Sequence, residues 1–286
     1  MTLVDFHTHV MPPWVMQDRA SLARTDACFE MLYADPKARL TTADDLINSM
    51  DETGIAMSVA LNIGWSTHEM CMRTNDYLLE SASRWPGRIV PFCMLHLMSP
   101  DLALHELERC AAGGARGVGE LRPDVQSYSL TDASLWKPLV DVLNRHEMIL
   151  LTHVSEPVGH QYPGKGTITP EQPYAFAKEF PEATLVCAHW GGGLPFYALM
   201  PEVGKTLANV YFDTAATHYL YEREVFDTVA RLVGADHILF GSDYPLIPQK
   251  RALDIAREAI ALPDNLRAVL GDNAIRVLAT QGDTTP

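Results

Sequence analysis

Two histidines one residue apart, His7 and His9, end a short apolar run near the start of the chain. On a β-strand, side chains at positions i and i+2 point to the same side, so both imidazoles would project together. Neutral imidazoles held close together are ligands for divalent metals. A strand that carries two polar residues on a solvated face is the alternative, and the pair alone does not decide between the two.

Four further polar side chains also lie where apolar runs end. They are Glu120, His153, His189 and Asp243. Taken singly, a histidine after a strand is more often a hydrogen-bonded residue, and an aspartate there is frequently a turn or helix cap. If the runs are parallel strands of one barrel, their carboxyl ends meet at one face. With His7 and His9 counted together, polar residues at five strand ends in a single ring therefore predict a metal site.

The elements that would position these residues are eight apolar, β-branched runs that alternate with segments of helical periodicity. The predicted strands cover about 3–7, 55–61, 89–94, 115–120, 148–153, 184–189, 209–213 and 237–241. The predicted helices cover about 42–53, 67–85, 100–112, 132–146, 171–180, 195–207, 222–233 and 249–261, with a final helix at about 264–279. This order predicts an α/β fold, a (β/α)8 TIM barrel in a single domain over residues 1–286.

Two long insertions, 10–40 and 154–170, follow the first and fifth predicted strands. In such a barrel both lie at the face where substrates bind, so we expect lids or pocket walls there. His160, on the second insertion, is a candidate to contact substrate.

Three further residues are candidates beside the ring. Arg122 could hold a substrate carboxylate through two hydrogen bonds, with a surface ion pair as the alternative. Trp190 is a candidate apolar wall, with ordinary packing as the alternative. Asp213 ends the seventh predicted strand and is a candidate to support the ligands.

The composition narrows the class of protein. The chain has 22 Lys and Arg against 36 Asp and Glu, a net charge of −14, which argues against nucleic acid or an anionic membrane as partner. Its five cysteines are an odd number without close pairs, so neither a disulfide framework nor a structural zinc site is expected. No signal-peptide pattern and no apolar run of about 18 residues is found, which predicts a cytoplasmic protein.

The chain resembles the amidohydrolase superfamily, in the amidohydrolase-related (family 2) branch that includes aminocarboxymuconate semialdehyde decarboxylase. The matching segments, in the family's order, are Asp5-Phe6-His7-Thr8-His9, Thr152-His153, Ala188-His189-Trp190-Gly191-Gly192, Gly241-Ser242-Asp243-Tyr244-Pro245 and Gly271-Asp272-Asn273-Ala274. The resemblance implies a divalent metal, with zinc expected, as one ion or two. The metal ligands that it implies are His7, His9, His153 and Asp243. It makes His189 a catalytic residue, and it allows a homodimer because relatives often form dimers.

The role of Glu120 stays open at this point. Some binuclear relatives place a carbamylated lysine at the end of strand four and others a glutamate, whereas the decarboxylase branch is usually mononuclear. Glu120 is therefore a candidate metal ligand, with orientation of a water molecule or pairing with Arg122 as alternatives.

Two reactions on a small-molecule substrate fit these residues. The first is hydrolysis of a small ester, lactone or amide by a metal-activated water, with Asp243 transferring the proton. The alternative is a non-oxidative decarboxylase (a carboxy-lyase) acting on a small unsaturated or aromatic carboxylate. Arg122, or an arginine within 10–40 such as Arg19, would favour decarboxylation. A second metal on Glu120 would favour hydrolysis, and hydrolysis is the preferred expectation.

Overall fold

The computed structural model describes residues 1–279; the predicted domain extends to residue 286, and 280–286 lie outside the described residues. Eight parallel strands form one sheet in the order of the chain. They are β1 (Val4–His9), β2 (Met57–Leu61), β3 (Ile89–Cys93), β4 (Gly117–Leu121), β5 (Ile149–Thr152), β6 (Leu185–Cys187), β7 (Val210–Asp213) and β8 (Ile238–Leu239). The sheet closes where the Phe6 and His9 amides donate to the Phe240 and Tyr244 carbonyls, both at 2.7 Å. The predicted (β/α)8 barrel is confirmed.

Helices surround the strands and also fill the first insertion. They are α1 (Pro13–Gln17), α2 (Arg19–Thr25), α3 (Ala27–Tyr33), α4 (Ala43–Thr53), α5 (His68–Arg84), α6 (Pro100–Ala112), α7 (Pro123–Gln126), α8 (Ala133–Arg145), α9 (Glu171–Glu179), α10 (Pro201–Thr206), α11 (Thr217–Leu220), α12 (Val225–Val233), α13 (Gln249–Ala259), α14 (Pro263–Arg267) and α15 (Asn273–Leu278). Within residues 1–279, no helix is long and apolar enough to cross a membrane.

Local sequence explains where α4 begins and ends. The Thr42 hydroxyl accepts from the Asp45 amide, and the Asp45 carboxylate accepts from the Thr42 amide, which together form a capping box. Gly54 ends the helix with φ 75°, a left-handed conformation that glycine adopts without steric cost. The predicted helix at 42–53 therefore agrees with the structure within one residue.

The predicted helix at 195–207 is wrong in its first half. Residues 189–199 instead form tight turns, and α10 covers the remainder. The turns begin with left-handed residues, including His189 and Trp190 at φ 57°. Gly192 is required there, because a Cβ at this position would lie 2.4 Å from the Ser155 carbonyl oxygen. The chain thus folds back against the β5 loop before it can enter a regular helix.

Apolar side chains fill the interior of the barrel below its carboxyl end. Phe6 on β1 and Phe92 on β3 meet edge to face, with ring centroids 5.8 Å apart. Around them pack Val4, Val59, Leu61, Val90, Ile149, Leu151, Val186 and Leu239, all buried. The interior is thus a packed core, and polar side chains can converge only at the rim.

Two bulges aim side chains into the rim. From Asp5 to Thr8, β1 advances by three residues, while the paired segment of β2 advances by only two, from Ser58 to Ala60. Strand β4 has the same irregularity between Val118 and Leu121. An extra residue in a strand re-aims the side chains that follow it. For this reason Phe6 lies in the apolar interior while His7, the next residue, also points inward.

Glu106 provides a test of the fold away from the rim. This buried carboxylate on α6 accepts from Asn75 at 2.7 Å, Arg109 at 2.7 and 2.8 Å, and the Cys110 thiol at 3.3 Å. Burial raises the pKa of Glu106, but the Arg109 and Asn75 hydrogen bonds outweigh it and hold the pKa below its usual value. The folded state therefore favours the carboxylate.

We expect Glu106→Gln to lower the free energy of unfolding by about 1–3 kcal/mol at pH 7, because it removes a hydrogen-bonded charge. Since the folded pKa is depressed, the wild-type advantage should persist above pH 4.5 and shrink as the pH falls below it. Urea unfolding of both proteins at pH 7 and at pH 4 measures this. A difference that grows on acidification would contradict the assignment.

Candidate metal centre

Ligand-type atoms from four strand ends converge at the carboxyl end of the barrel. His7 Nε2 lies 3.1 Å from His9 Nε2, and Asp243 Oδ1 lies 3.7 and 3.6 Å from the same two nitrogens. One group of mutually close atoms comes from His7, His9 and Asp243, and a second comes from His7, Glu120 and His189. Within each group the atoms all lie within 4.8 Å of one another. This spacing suits a shared cation.

Asp213, at the end of β7, fixes the orientation of His7. Its Oδ2 lies 2.8 Å from His7 Nδ1, and its Oδ1 accepts from the amides of His189 at 2.9 Å and Ala215 at 3.0 Å. A carboxylate at Nδ1 holds a proton there, so Nε2 is the nitrogen that would bind a metal. The candidate support residue from the sequence thus contacts a predicted ligand directly.

The centre carries an excess of negative charge. Burial lowers the pKa of His7, but the charges of Asp213, Glu120 and Asp243 outweigh it and raise the pKa to about 10. Burial raises the pKa of Asp213, but the charge of His7 outweighs it and holds the pKa below its usual value. Three buried carboxylates lie around His7 and His9, and a divalent cation bound there would offset their negative charge.

Both ring nitrogens of His189 face hydrogen-bond acceptors. Its Nε2 lies 3.1 Å from Glu120 Oε1, and its Nδ1 lies 3.3 Å from the Ala215 carbonyl oxygen. Both neighbours are acceptors, so the arrangement suits a proton on each ring nitrogen. Burial lowers the pKa of His189, but the hydrogen bond to Glu120 outweighs it and raises the pKa to about 9.

His153 lies beside the ring rather than within either group of mutually close atoms. Its Nδ1 lies 2.8 Å from Glu120 Oε1, and its Nε2 lies 2.9 Å from the Ser155 hydroxyl. That hydroxyl accepts from the Gly166 amide, so it can donate to Nε2 while Nδ1–H donates to Glu120. Burial, followed by the Arg122 charge, lowers the pKa of His153 to about 4 and keeps it neutral. Its role as a metal ligand stays a prediction.

Glu120 lies close to the four histidines of the centre, which are His7, His9, His153 and His189. Its Oε1 faces His153 and His189, as described above. Its Oε2 lies 3.8 Å from His7 Nε2 and 3.6 Å from His9 Nε2. Burial raises the pKa of Glu120, but His153, His189 and His7 hold it well below its usual value. Glu120 is therefore an anion at the middle of the centre.

Arg122 is already paired in the structure. Its guanidinium binds Asp124 through two contacts of 3.2 Å, and its Nη2 lies 3.6 Å from Met31 Sδ. The side chain is 2% exposed, so the ion pair with Asp124 is buried, and the surface ion pair considered from the sequence is wrong. Arg19, from the first insertion, is also engaged, because it donates to the carbonyls of Tyr33, Asp35 and Ala38. Both arginines thus have partners in the structure, and a substrate-binding role for Arg122 stays a prediction.

Two other candidates lie away from the ring. Trp190 is fully buried; its indole N–H donates to the Thr217 hydroxyl at 2.9 Å, and its ring packs against Phe226. The left-handed turn directs this side chain into the outer core. Trp190 therefore fits ordinary packing, the alternative considered from the sequence. His160 is exposed on the second insertion, where its ring lies 5.4 Å from that of Tyr162.

Asp5 supports the centre in a way that sequence reasoning missed. Its carboxylate accepts from the His7 amide at 3.2 Å and from the Ser242 amide at 2.9 Å. It also accepts from the Ser242 hydroxyl at 2.6 Å and from Gln249 at 2.8 Å. Asp5 thus ties β1 to the segment that carries Asp243. A charged residue inside an apolar strand was the available signal.

Asp213→Asn is expected to weaken the binding of Mn²⁺ by about 10- to 100-fold, because the carboxylate that orients His7 is lost. Titration of metal-free protein with Mn²⁺, followed by calorimetry, measures the change. Asp264→Asn, at an exposed carboxylate, is the matched control. Unchanged Mn²⁺ affinity in Asp213→Asn would mean that His7, or the orientation that Asp213 gives it, does not contribute to metal binding.

Comparisons with known proteins identify the family of the chain. A family model described as Amidohydrolase matches residues 4–280. The gamma-resorcylate decarboxylase of Rhizobium radiobacter is 23% identical over 296 residues, which cover 85% of this chain and 87% of that protein.

Solved structures show the same fold. A 5-carboxyvanillate decarboxylase from Sphingomonas paucimobilis has a TM-score of 0.79 at 18% identity, covering 97% of this chain and 98% of that chain. A dihydroxybenzoic acid decarboxylase from Polaromonas sp., with bound manganese and the inhibitor 2-nitroresorcinol, has a TM-score of 0.73 at 20% identity, covering 97% and 96%. Because the family model spans nearly the whole sequence, the chain belongs to the amidohydrolase family, in the amidohydrolase-related branch that its motifs resemble.

Proposed function

We propose that this protein is a metal-dependent, non-oxidative decarboxylase of a small aromatic carboxylate. The observation that carries the proposal is the buried ring of imidazoles and carboxylates at the barrel rim, in a chain similar to named decarboxylases over most of its length. Hydrolysis, the preferred expectation from the sequence, has no support among these relatives. The alternative drawn from the same sequence does.

The residues of the ring fit a divalent cation. His7, His9, Asp243 and Glu120 would hold it, since His7 Nε2 lies within 3.8 Å of a ligand-type atom of each of the other three. We propose a divalent metal. Solved structures of relatives contain manganese, and the zinc expected from the sequence has no support from them. When bound, such an ion supplies a Lewis acid that orients the oxygens of the substrate and stabilises negative charge on them.

A side chain of the metal centre supplies the proton that decarboxylation needs. When the carbon–carboxylate bond breaks and carbon dioxide leaves, the ring carbon of the substrate must gain a proton. His189 holds protons on both nitrogens, and its Nε2–H lies 3.1 Å from Glu120 Oε1. We assign His189 as the acid and Glu120 as the anion that keeps it protonated; solvent then restores the proton.

The rim also excludes water from the reacting carboxylate. The side chains of His7, His9, Glu120, His153 and Asp243 are each about one-tenth exposed or less. A carboxylate that loses its hydration shell in such a site gives up carbon dioxide more readily, because its ground state is no longer stabilised by water.

A substrate panel tests the proposal. Protein loaded with Mn²⁺ is incubated with 2,6-dihydroxybenzoate, 5-carboxyvanillate, simple lactones and aryl esters, and both carbon dioxide and acid release are measured. We expect carbon dioxide from at least one aromatic carboxylate. Acid release from a lactone or ester without carbon dioxide would contradict the proposal and restore hydrolysis.

A further inference from the structure

A left-handed turn after β8 carries Asp243. The φ of Asp243 is 66°, a conformation that is uncommon for residues other than glycine. The direction in which the side chain leaves the main chain depends on this conformation. In it, Asp243 Oδ1 lies 3.7 Å from His7 Nε2 and 3.6 Å from His9 Nε2. A contact that stabilises the turn therefore also places the carboxylate at the centre.

The hydroxyl of Ser242 bridges this turn. It donates to Asp5 Oδ2 at 2.6 Å and accepts from the Tyr244 amide at 3.0 Å. An amide N–H can only donate, so the oxygen of Ser242 accepts from Tyr244, and the hydroxyl proton is directed to Asp5. The bond to Tyr244 spans Asp243, and serine hydroxyls stabilise turns in this way.

Asp5 is fixed from two further directions. Its Oδ1 accepts from the Ser242 amide at 2.9 Å, and its Oδ2 accepts from Gln249 Nε2 at 2.8 Å. Gln249 Oε1 in turn accepts from the Ser49 hydroxyl, on α4, at 2.8 Å. Asp5, Ser242 and Gln249 are fully buried, so solvent does not replace a hydrogen bond that is lost there.

Main-chain hydrogen bonds place the two ends of the turn against β1. The Asp243 amide donates to the His7 carbonyl at 2.9 Å, and the Tyr244 carbonyl accepts from the His9 amide at 2.7 Å. The peptide group between Asp243 and Tyr244 contributes its N–H to neither bond. That N–H is the group that binds the Ser242 hydroxyl, so Ser242 fixes the orientation of this peptide.

We infer that Ser242 is a positioning residue of the metal centre, whose hydroxyl keeps Asp243 in the left-handed conformation that directs the carboxylate into the centre. The inference rests on the metal centre of the proposed function, and it gives Ser242 no contact with substrate. Loss of the hydroxyl would leave the Tyr244 amide and Asp5 each one buried partner short. The peptide that follows Asp243 would then be free to rotate.

Ser242→Ala tests the inference, because it removes the hydroxyl and leaves the main chain unchanged. Ser83→Ala, at an exposed serine on α5, is the matched control. The readouts are the Kd of Mn²⁺ for the metal-free protein without substrate, the EPR spectrum of the bound Mn²⁺ and the Tm. We expect Ser242→Ala to weaken Mn²⁺ binding by about 10- to 100-fold and to change the EPR spectrum, because the carboxylate of Asp243 is displaced.

Asp5→Asn tests the same hydrogen bond from its other side, and it decides the question if Ser242→Ala does not fold. It should also weaken Mn²⁺ binding. Because the two residues act through one shared bond, the double variant should weaken binding by less than the product of the two single effects. All Kd values are measured well below the lowest Tm, where each variant is folded.

A parent-like Kd and EPR spectrum in Ser242→Ala would overturn the inference, even with a lower Tm, since the role of the hydroxyl would then be structural only. Independent effects in the double variant, or a parent-like Kd in Asp5→Asn, would overturn it as well. Each of these outcomes leaves the decarboxylase proposal intact. Absence of Mn²⁺ binding in the parent would overturn both the proposed function and the inference.

Discussion

Asp243→Asn is expected to lower the rate of carbon dioxide release by about 10³-fold or more, because it removes a charge and a ligand from the centre. Asp243 Oδ1 lies within 3.7 Å of both His7 Nε2 and His9 Nε2, so an amide there would bring N–H groups or a neutral oxygen to the metal. Steady-state kinetics with Mn²⁺ at several concentrations separates weaker metal binding from slower chemistry.

The matched control for this variant is Asp264→Asn, which changes an exposed carboxylate on α14. Its rate and metal content should equal those of the parent. A rate within a few-fold of the parent in Asp243→Asn at saturating Mn²⁺ would remove Asp243 from the reaction and leave the remaining ring residues to explain it.

Glu120→Gln is expected to lower kcat by about 10²- to 10⁴-fold, the usual contribution of general acid–base catalysis. Glutamine cannot keep His189 protonated, because the charge that raises the pKa of that imidazole is lost. The decline of kcat on raising the pH should therefore begin at a lower pH in Glu120→Gln than in the parent.

Measurement of kcat against pH for both proteins checks this, with Glu108→Gln on α6 as the control for loss of an unrelated carboxylate. If the two alkaline declines coincide, the pair of Glu120 and His189 does not set the protonation that limits the rate. The assignment of His189 as the acid would then be wrong.

The positions of the strand ends could be predicted, and with them most of the centre. The strands that form the centre read as apolar runs with a polar residue at the carboxyl end, and closure of the barrel brings those ends together. His7, His9, Glu120, His189 and Asp243 converge for this reason. No side-chain contact had to be known in advance, because the topology alone determines which ends are neighbours.

The residues that sequence reasoning misplaced depend on features without a periodic signal. Arg122 pairs with Asp124 because both follow β4 in a turn that folds the carboxylate back on the guanidinium. Trp190 points into the outer core because the chain leaves β6 in a left-handed turn. Neither geometry follows from apolar periodicity.

The first insertion also had to be seen folded. Residues 10–40 form α1, α2 and α3 rather than an irregular loop, and the contacts of Asp26 and Met31 determine which face of α3 meets the barrel. Those contacts join segments distant in sequence, so the placement of α3 could not be predicted from its own residues.

Titration of metal-free protein with Mn²⁺ tests whether carbon dioxide release depends on a metal bound at the barrel rim. Bound metal and carbon dioxide release are measured in the same samples, with the aromatic carboxylate that turns over fastest. We predict no release from metal-free protein, release that rises in proportion to bound Mn²⁺, and loss of both in His7→Ala. Full carbon dioxide release without a bound divalent metal, or unchanged Mn²⁺ binding in His7→Ala, would contradict the account.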